Sequence, residues 1–122
     1  MSRLIIAIII IGAFSGQAKA ISKDCNNVEK MARCCTYYIK SIDSKLRLDE
    51  QDLANQCFNE INGAIDQSRE DKTQGICTPN DVTADGLAKS FIMFTENNTN
   101  YYTRSPRFGL LYLMGFKWPC NK

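Results

Sequence analysis

The chain has 122 residues, 44% hydrophobic and 23% charged, with a formal net charge of +2, six cysteines and no histidine. That length supports a single core of modest size. The near-neutral balance argues against nucleic acid as a partner, which calls for a basic excess that releases counterions from phosphates. The lack of histidine removes the commonest general base and metal ligand, and with them the Ser-His and Cys-His nucleophile pairs.

The N-terminus reads as a signal peptide over residues 1–20. Arg3 precedes an uncharged apolar run from Leu4 to Phe14, and Ala18-Lys19-Ala20 supplies a small-x-small cleavage site. The run is too short for a bilayer-spanning helix, which needs about 20 apolar residues. The expected mature chain, residues 21–122, is one secreted disulfide-rich helical domain with no stable membrane anchor. Removing Arg3 and Lys19 leaves 13 basic against 13 acidic residues.

All six cysteines lie in that mature part: Cys25, Cys34, Cys35, Cys57, Cys77 and Cys120. An even count in a short secreted chain reads as three disulfides. The alternative, a zinc site, calls for C-x2-C pairs or histidines, and the sequence has neither.

The first helix is expected between Asp24 and Leu46, where Val28, Met31, Cys35, Ile39, Ile42 and Leu46 recur at helical spacing. Cys35 lies on that stripe and Cys34 about 100° around it. After a turn near Leu48, Asp49 and Asp52 suit the start of a second helix, where carboxylates favour the helix dipole. Its inward face is Leu53, Cys57, Ile61 and Ala64 or Ile65, with Gly63 weakening its last turn. A short connection makes the two helices an antiparallel hairpin. Cys35 and Cys57 then share a seam and are expected to pair. The same folding-back suggests Cys25–Cys77, which leaves Cys34–Cys120.

Residues 70–75 (EDKTQG) are polar and read as a loop. Thr78-Pro79-Asn80-Asp81 looks like the start of a third helix, with Val82, Leu87, Ala88, Phe91, Ile92 and Phe94 as its apolar positions. Residues 95–100 (TENNTN) end it, and Pro106 marks a further break. Phe108 to Trp118 is almost wholly apolar; its length suits a helix or a strand, and helix is favoured. The fold class expected is all-α, a small disulfide-stapled helical domain of three to four helices.

Few constellations suggest chemistry. Asp49, Glu50 and Asp52 cluster without the spaced ligands and glycine of a calcium loop, so helix capping explains them. The thirteen acids admit many chance carboxylate pairs, and solvated surface is the better account of them. No catalytic residue, metal ligand or cofactor is assigned, and an enzyme is not expected. Charge is nonetheless uneven: residues 48–71 carry a net −6, while residues 21–47 carry +3 and residues 100–122 carry +4 without an acid. Attraction between the second helix and its neighbours accounts for this more readily than partner steering. Asn97-Asn98-Thr99 is an N-glycosylation sequon, which would make the chain a glycoprotein.

The C-terminal aromatics Phe108, Tyr112, Phe116 and Trp118 are flanked by cations. Core packing is the first explanation, ahead of a ligand wall or a surface for a membrane or partner. These features lead to a non-enzymatic interaction protein that acts as an extracellular ligand, effector or inhibitor. Protein binding, to an extracellular or cell-surface protein, is its expected task. The runner-up is a carrier of a small apolar ligand walled by Met93, Phe94, Leu111, Met114 and Trp118.

Overall fold

The computed structural model describes residues 25–71 and 74–120, and the segment 1–20 expected to be a signal peptide lies outside the described residues. Four α-helices form the described part: α1 (Val28–Lys40), α2 (Leu48–Glu70), α3 (Ala84–Asn97) and α4 (Pro106–Lys117). A 3-10 turn, Thr99–Tyr101, lies between α3 and α4. Three disulfides staple this all-α domain: Cys25–Cys34, Cys35–Cys57 and Cys77–Cys120.

α1 starts where Asn27 caps it, the Asn27 side chain accepting from the Lys30 N–H at 2.8 Å. It ends at Lys40, six residues before the apolar stripe in the sequence does. The Ser41 hydroxyl donates to the Tyr38 carbonyl at 2.6 Å, and residues of this type compete with the helical ladder for backbone groups. Ile42 is therefore 53% exposed, whereas Leu46 is buried from the linker rather than from the helix.

α2 begins with Asp49 and Glu50 in its first turn, and Glu50 accepts from the Arg47 N–H at 3.1 Å. Asp52 sits further on and accepts from Gln56. Cys57, Ile61, Ala64 and Ile65 are buried, and Leu53 packs at the margin of the core. Gly63 does not end the helix. The Arg107 guanidinium of α4 lies so close over it that an added Cβ would overlap the Arg107 nitrogen. Arg107 donates to Glu60 at 2.5 Å and to Gln67 at 2.7 Å. It thus draws the basic C-terminal segment onto the acidic helix.

The length of α2 redirects two of the bridges. Its 23 residues span about 34 Å, against about 20 Å for the 13 residues of α1. Cys35 and Cys57 meet in the seam, as expected. α2 then runs beyond the start of α1 and carries Cys77 away from Cys25. Gly75, at φ +73°, turns the chain. The segment that follows pairs with the C-terminus: Cys77 N–H donates to Trp118 O at 2.8 Å, and Cys120 N–H to Gly75 O at 3.0 Å. Cys77 consequently bonds Cys120. Cys25 folds back on its own helix to reach Cys34. The expected Cys25–Cys77 and Cys34–Cys120 bridges are both replaced.

α3 starts later than Thr78-Pro79 suggests. Ser68, buried in α2, hydrogen-bonds Thr78 at 2.7 Å, and Arg69 donates to the Pro79 carbonyl at 2.8 Å. Those contacts hold residues 78 and 79 outside the helix, and Thr83 caps it instead by accepting from the Gly86 N–H. Residues 108–117 are helical, which excludes the strand alternative. Ser105 caps α4 and Pro106 occupies its first turn. The loop before α4 also closes the N-terminus of α1, where the Val28 N–H donates to Arg104 O at 2.9 Å.

All four helices contribute to the core. Val28, Met31, Cys35, Ile61, Leu87, Phe91, Leu110 and Met114 are each at most 2% exposed. Gly109 permits the close crossing of α4 over α1, since a Cβ there would lie 2.7 Å from the Val28 Cγ2.

Candidate functional site

α4 is apolar on both faces, and the core uses one of them. Gly109, Leu110, Leu113 and Met114 are buried. Phe108, Leu111, Tyr112 and Phe116 are left on the outer side. Phe116 is 82% exposed and Tyr112 46%. Met93 of α3 is 64% exposed beside them. Singly exposed apolar side chains such as Ile42 and Leu48 are ordinary, but several gathered on adjoining helix faces mark a surface of interest.

The rings form a connected ladder. It starts at buried Phe91, 6.2 Å between centroids from Phe94. Phe94 lies 5.9 Å from Tyr112 and 6.3 Å from Tyr101. Tyr101 lies 5.0 Å from Tyr112, and Phe108 6.1 Å from Tyr112. Contact with Tyr101, chiefly a hydrogen bond between the hydroxyls, raises the Tyr112 phenol above its ordinary value. Each ring restrains the next, and aromatic pairs at these separations are mutually attractive. Phe108 and Tyr112 are therefore rooted in the core, and Phe116 projects beside them outside the ladder.

Two grooves flank Phe116. One, about 410 Å³, is lined by Ile76, Phe108, Leu111, Tyr112 and Gly115, with Gln74 at its edge. The other, about 310 Å³, lies between α3 and α4 and includes Met93, Phe94, Asn97 and Lys117. From Asn97 to Pro119 the sequence contains no acid. Arg104 stacks on Phe108 at 3.8 Å, and the Lys117 ammonium lies 5.5 Å from the Trp118 ring. The ion pairs of the described residues involve Arg47 and Arg107, not these two cations.

The five residues expected to wall a carrier site are dispersed. Met93 and Phe94 line the α3–α4 groove, Leu111 the larger groove, and Trp118 a third depression near Thr83 and Gly86. Met114 is fully buried in the core. Ile76, Phe108, Tyr112 and Phe116, absent from that set, are the residues gathered around Leu111. The helical spacing of residues 108, 112 and 116 was a usable signal for the outer face. Ile76 gave none, since it is brought there by the Cys77–Cys120 bridge and the backbone pairing beside it.

All six cysteines are in disulfides, so none offers a thiolate. Among the described residues no three acidic, thiol or imidazole side chains gather to hold a metal ion, and every buried polar side-chain atom has a partner. No helix among them is long and apolar enough to cross a membrane. Asn97 is exposed at the last position of α3, and its Nδ2 donates to the Met93 carbonyl at 3.1 Å. Comparison with family models, curated proteins and solved structures finds no match.

Proposed function

We propose that this is a secreted, non-enzymatic interaction protein whose α4 outer face binds an extracellular or cell-surface protein. The exposure of Phe116 beside Tyr112, whose ring is rooted in the core, carries this reading. Rigid aromatics lose little conformational entropy on binding and are enriched in interface centres. The partner segment it suits offers an apolar side chain for the larger groove and carboxylates for Arg104 and Lys117, neither of which is ion-paired among the described residues. Disulfides are consistent with an oxidising, extracellular setting.

The test is a binding screen of the secreted protein against arrayed receptor ectodomains, with Phe116→Ser and Tyr112→Ser combined as the control. At least one ectodomain is expected to lose tenfold or more in affinity with the double variant, which should remain folded. If every ectodomain bound by the wild type binds the variant equally well, the assignment to this face fails.

A carrier of a small apolar ligand is the second reading, favoured by the groove of about 410 Å³. That volume is within the range of small-molecule sites, roughly 300–1,000 Å³. Native mass spectrometry of the secreted protein separates the two readings. A stoichiometric apolar molecule lost on Gly115→Leu, which fills the groove, would favour the carrier.

A further inference from the structure

We propose that Asn97 carries an N-glycan whose proximal sugar lies in the groove between α3 and α4, against Met93 and Phe116. The inference rests on the secreted reading, because the glycan is added in the secretory pathway. Three observations carry it. First, Asn97-Asn98-Thr99 is an acceptor sequence, and both Asn97 and Thr99 are exposed. Second, Asn97 is itself a wall of the groove, so a sugar on its Nδ2 starts within it. Third, the groove has two characters. Met93 and Phe116 present large uncovered apolar surfaces, while Ser90, Asn98 and Lys117 give it polar edges. A pyranose ring matches that division, with C–H faces for a thioether or aromatic ring and hydroxyls for a polar rim.

The bond chemistry is compatible with the fold. Nδ2 has two hydrogens, and one is used by the Met93 carbonyl. In the transfer, Nδ2 attacks the anomeric carbon of an oligosaccharide linked to a lipid diphosphate. The C–N bond forms as the C–O bond to the diphosphate breaks. The other amide proton is lost to a base of the transferase, and the lipid diphosphate departs with the bonding electrons. No oxidant or reductant is required. The remaining N–H keeps the bond to Met93.

The consequence is directional. The glycan covers the Met93 flank of Phe116 and leaves open the flank formed by Ile76, Leu111, Tyr112 and Gly115. A partner is thereby confined to the larger groove.

The test expresses the full chain in eukaryotic secretory cells, beside Thr99→Ala, which removes the acceptor sequence without altering a groove residue. Peptide mass analysis of the medium protein is expected to find a glycan on Asn97 and none in the variant. Binding of an environment-sensitive apolar dye is expected to rise about threefold in Thr99→Ala, as befits an uncovered apolar patch. Adding Phe116→Ser should abolish that rise. Trimming the wild type to a single N-acetylglucosamine should leave dye binding low. Secreted protein with Asn97 bare, or equal dye binding with and without the glycan, overturns the inference while leaving the secreted reading intact. Retention inside the cell with residues 1–20 uncleaved overturns both.

Discussion

The α1–α2 half and the α3–α4 half of the molecule solve the same packing problem differently. In the first, two disulfides lie along one helix hairpin, and charged or amide side chains fill most of the solvent side. In the second, one disulfide closes the C-terminus, and α4 between Arg107 and Lys117 is apolar all round. Its inner face completes the core with Leu110 and Met114, while its outer face leaves Phe116 and Tyr112 in water. A core needs only one face of a helix, so the second apolar face of α4 is surplus to folding. That surplus is the strongest reason to look for function in this half.

The contrast can be broken first at the root of the aromatic ladder. Phe91→Ala should cost about 3–5 kcal/mol by urea denaturation, as for other fully buried phenylalanines. A loss below about 1 kcal/mol would show that the α3–α4 half is loosely packed. The bridges come next. By loop-closure entropy the Cys77–Cys120 bridge, at a separation of 43 residues, stabilises by about 4.0 kcal/mol and Cys25–Cys34, at 9, by about 2.6. Paired serine variants compared by thermal unfolding should therefore rank in that order. The reverse ranking would place the critical staple in the hairpin half.

The link between the halves is Arg107. Its contact with Glu60 is partly exposed on both sides, 36% and 25%. Arg107→Ala should cost only about 1 kcal/mol, and less at high salt. Gly63→Ala is expected to raise stability more in the Arg107→Ala background than in wild type, since alanine gains up to about 1 kcal/mol over glycine inside a helix and in wild type it must also displace that guanidinium. Equal effects in the two backgrounds would contradict the close approach.

Tyr38 gives a smaller, pH-dependent readout in the hairpin half. Burial, together with its 2.6 Å hydrogen bond to Asp85 of α3, pushes its phenol up to about 12 from 10.0. The fold thus favours the neutral phenol. Its stabilising contribution is present below pH 10 and is lost as pH rises from 10 through about 12. Ultraviolet titration should find Tyr38 among the last tyrosines to ionise, and Asp85→Asn should lower its midpoint. An unchanged midpoint would leave desolvation as the whole cause. Least affected of all should be Phe116→Ser, whose unfolding free energy should stay within about 0.5 kcal/mol of wild type. A larger loss would mean that Phe116 serves the fold after all.

Local periodicity determined a good deal on its own. The all-α class, the α1–α2 hairpin, the Cys35–Cys57 seam and the apolar positions of α3 follow from spacings of three and four, because helical neighbours are set by backbone geometry alone. Composition likewise left little room for histidine-based chemistry. Tertiary structure decided what depends on where helices end and on what lies across them. Ser41 ended α1 early, and the full length of α2 carried Cys77 to Cys120 rather than to Cys25. Gly63 became a seat for Arg107, a contact 44 residues away in sequence that no local pattern encodes. The candidate site divides in the same way. Residues 108, 112 and 116 share a face by spacing, but α4 is apolar from Phe108 to Phe116, so the sequence could not say which face lies inside. Packing of Leu110 and Met114 against α1, α2 and α3 settled that, and left Phe116 at the surface.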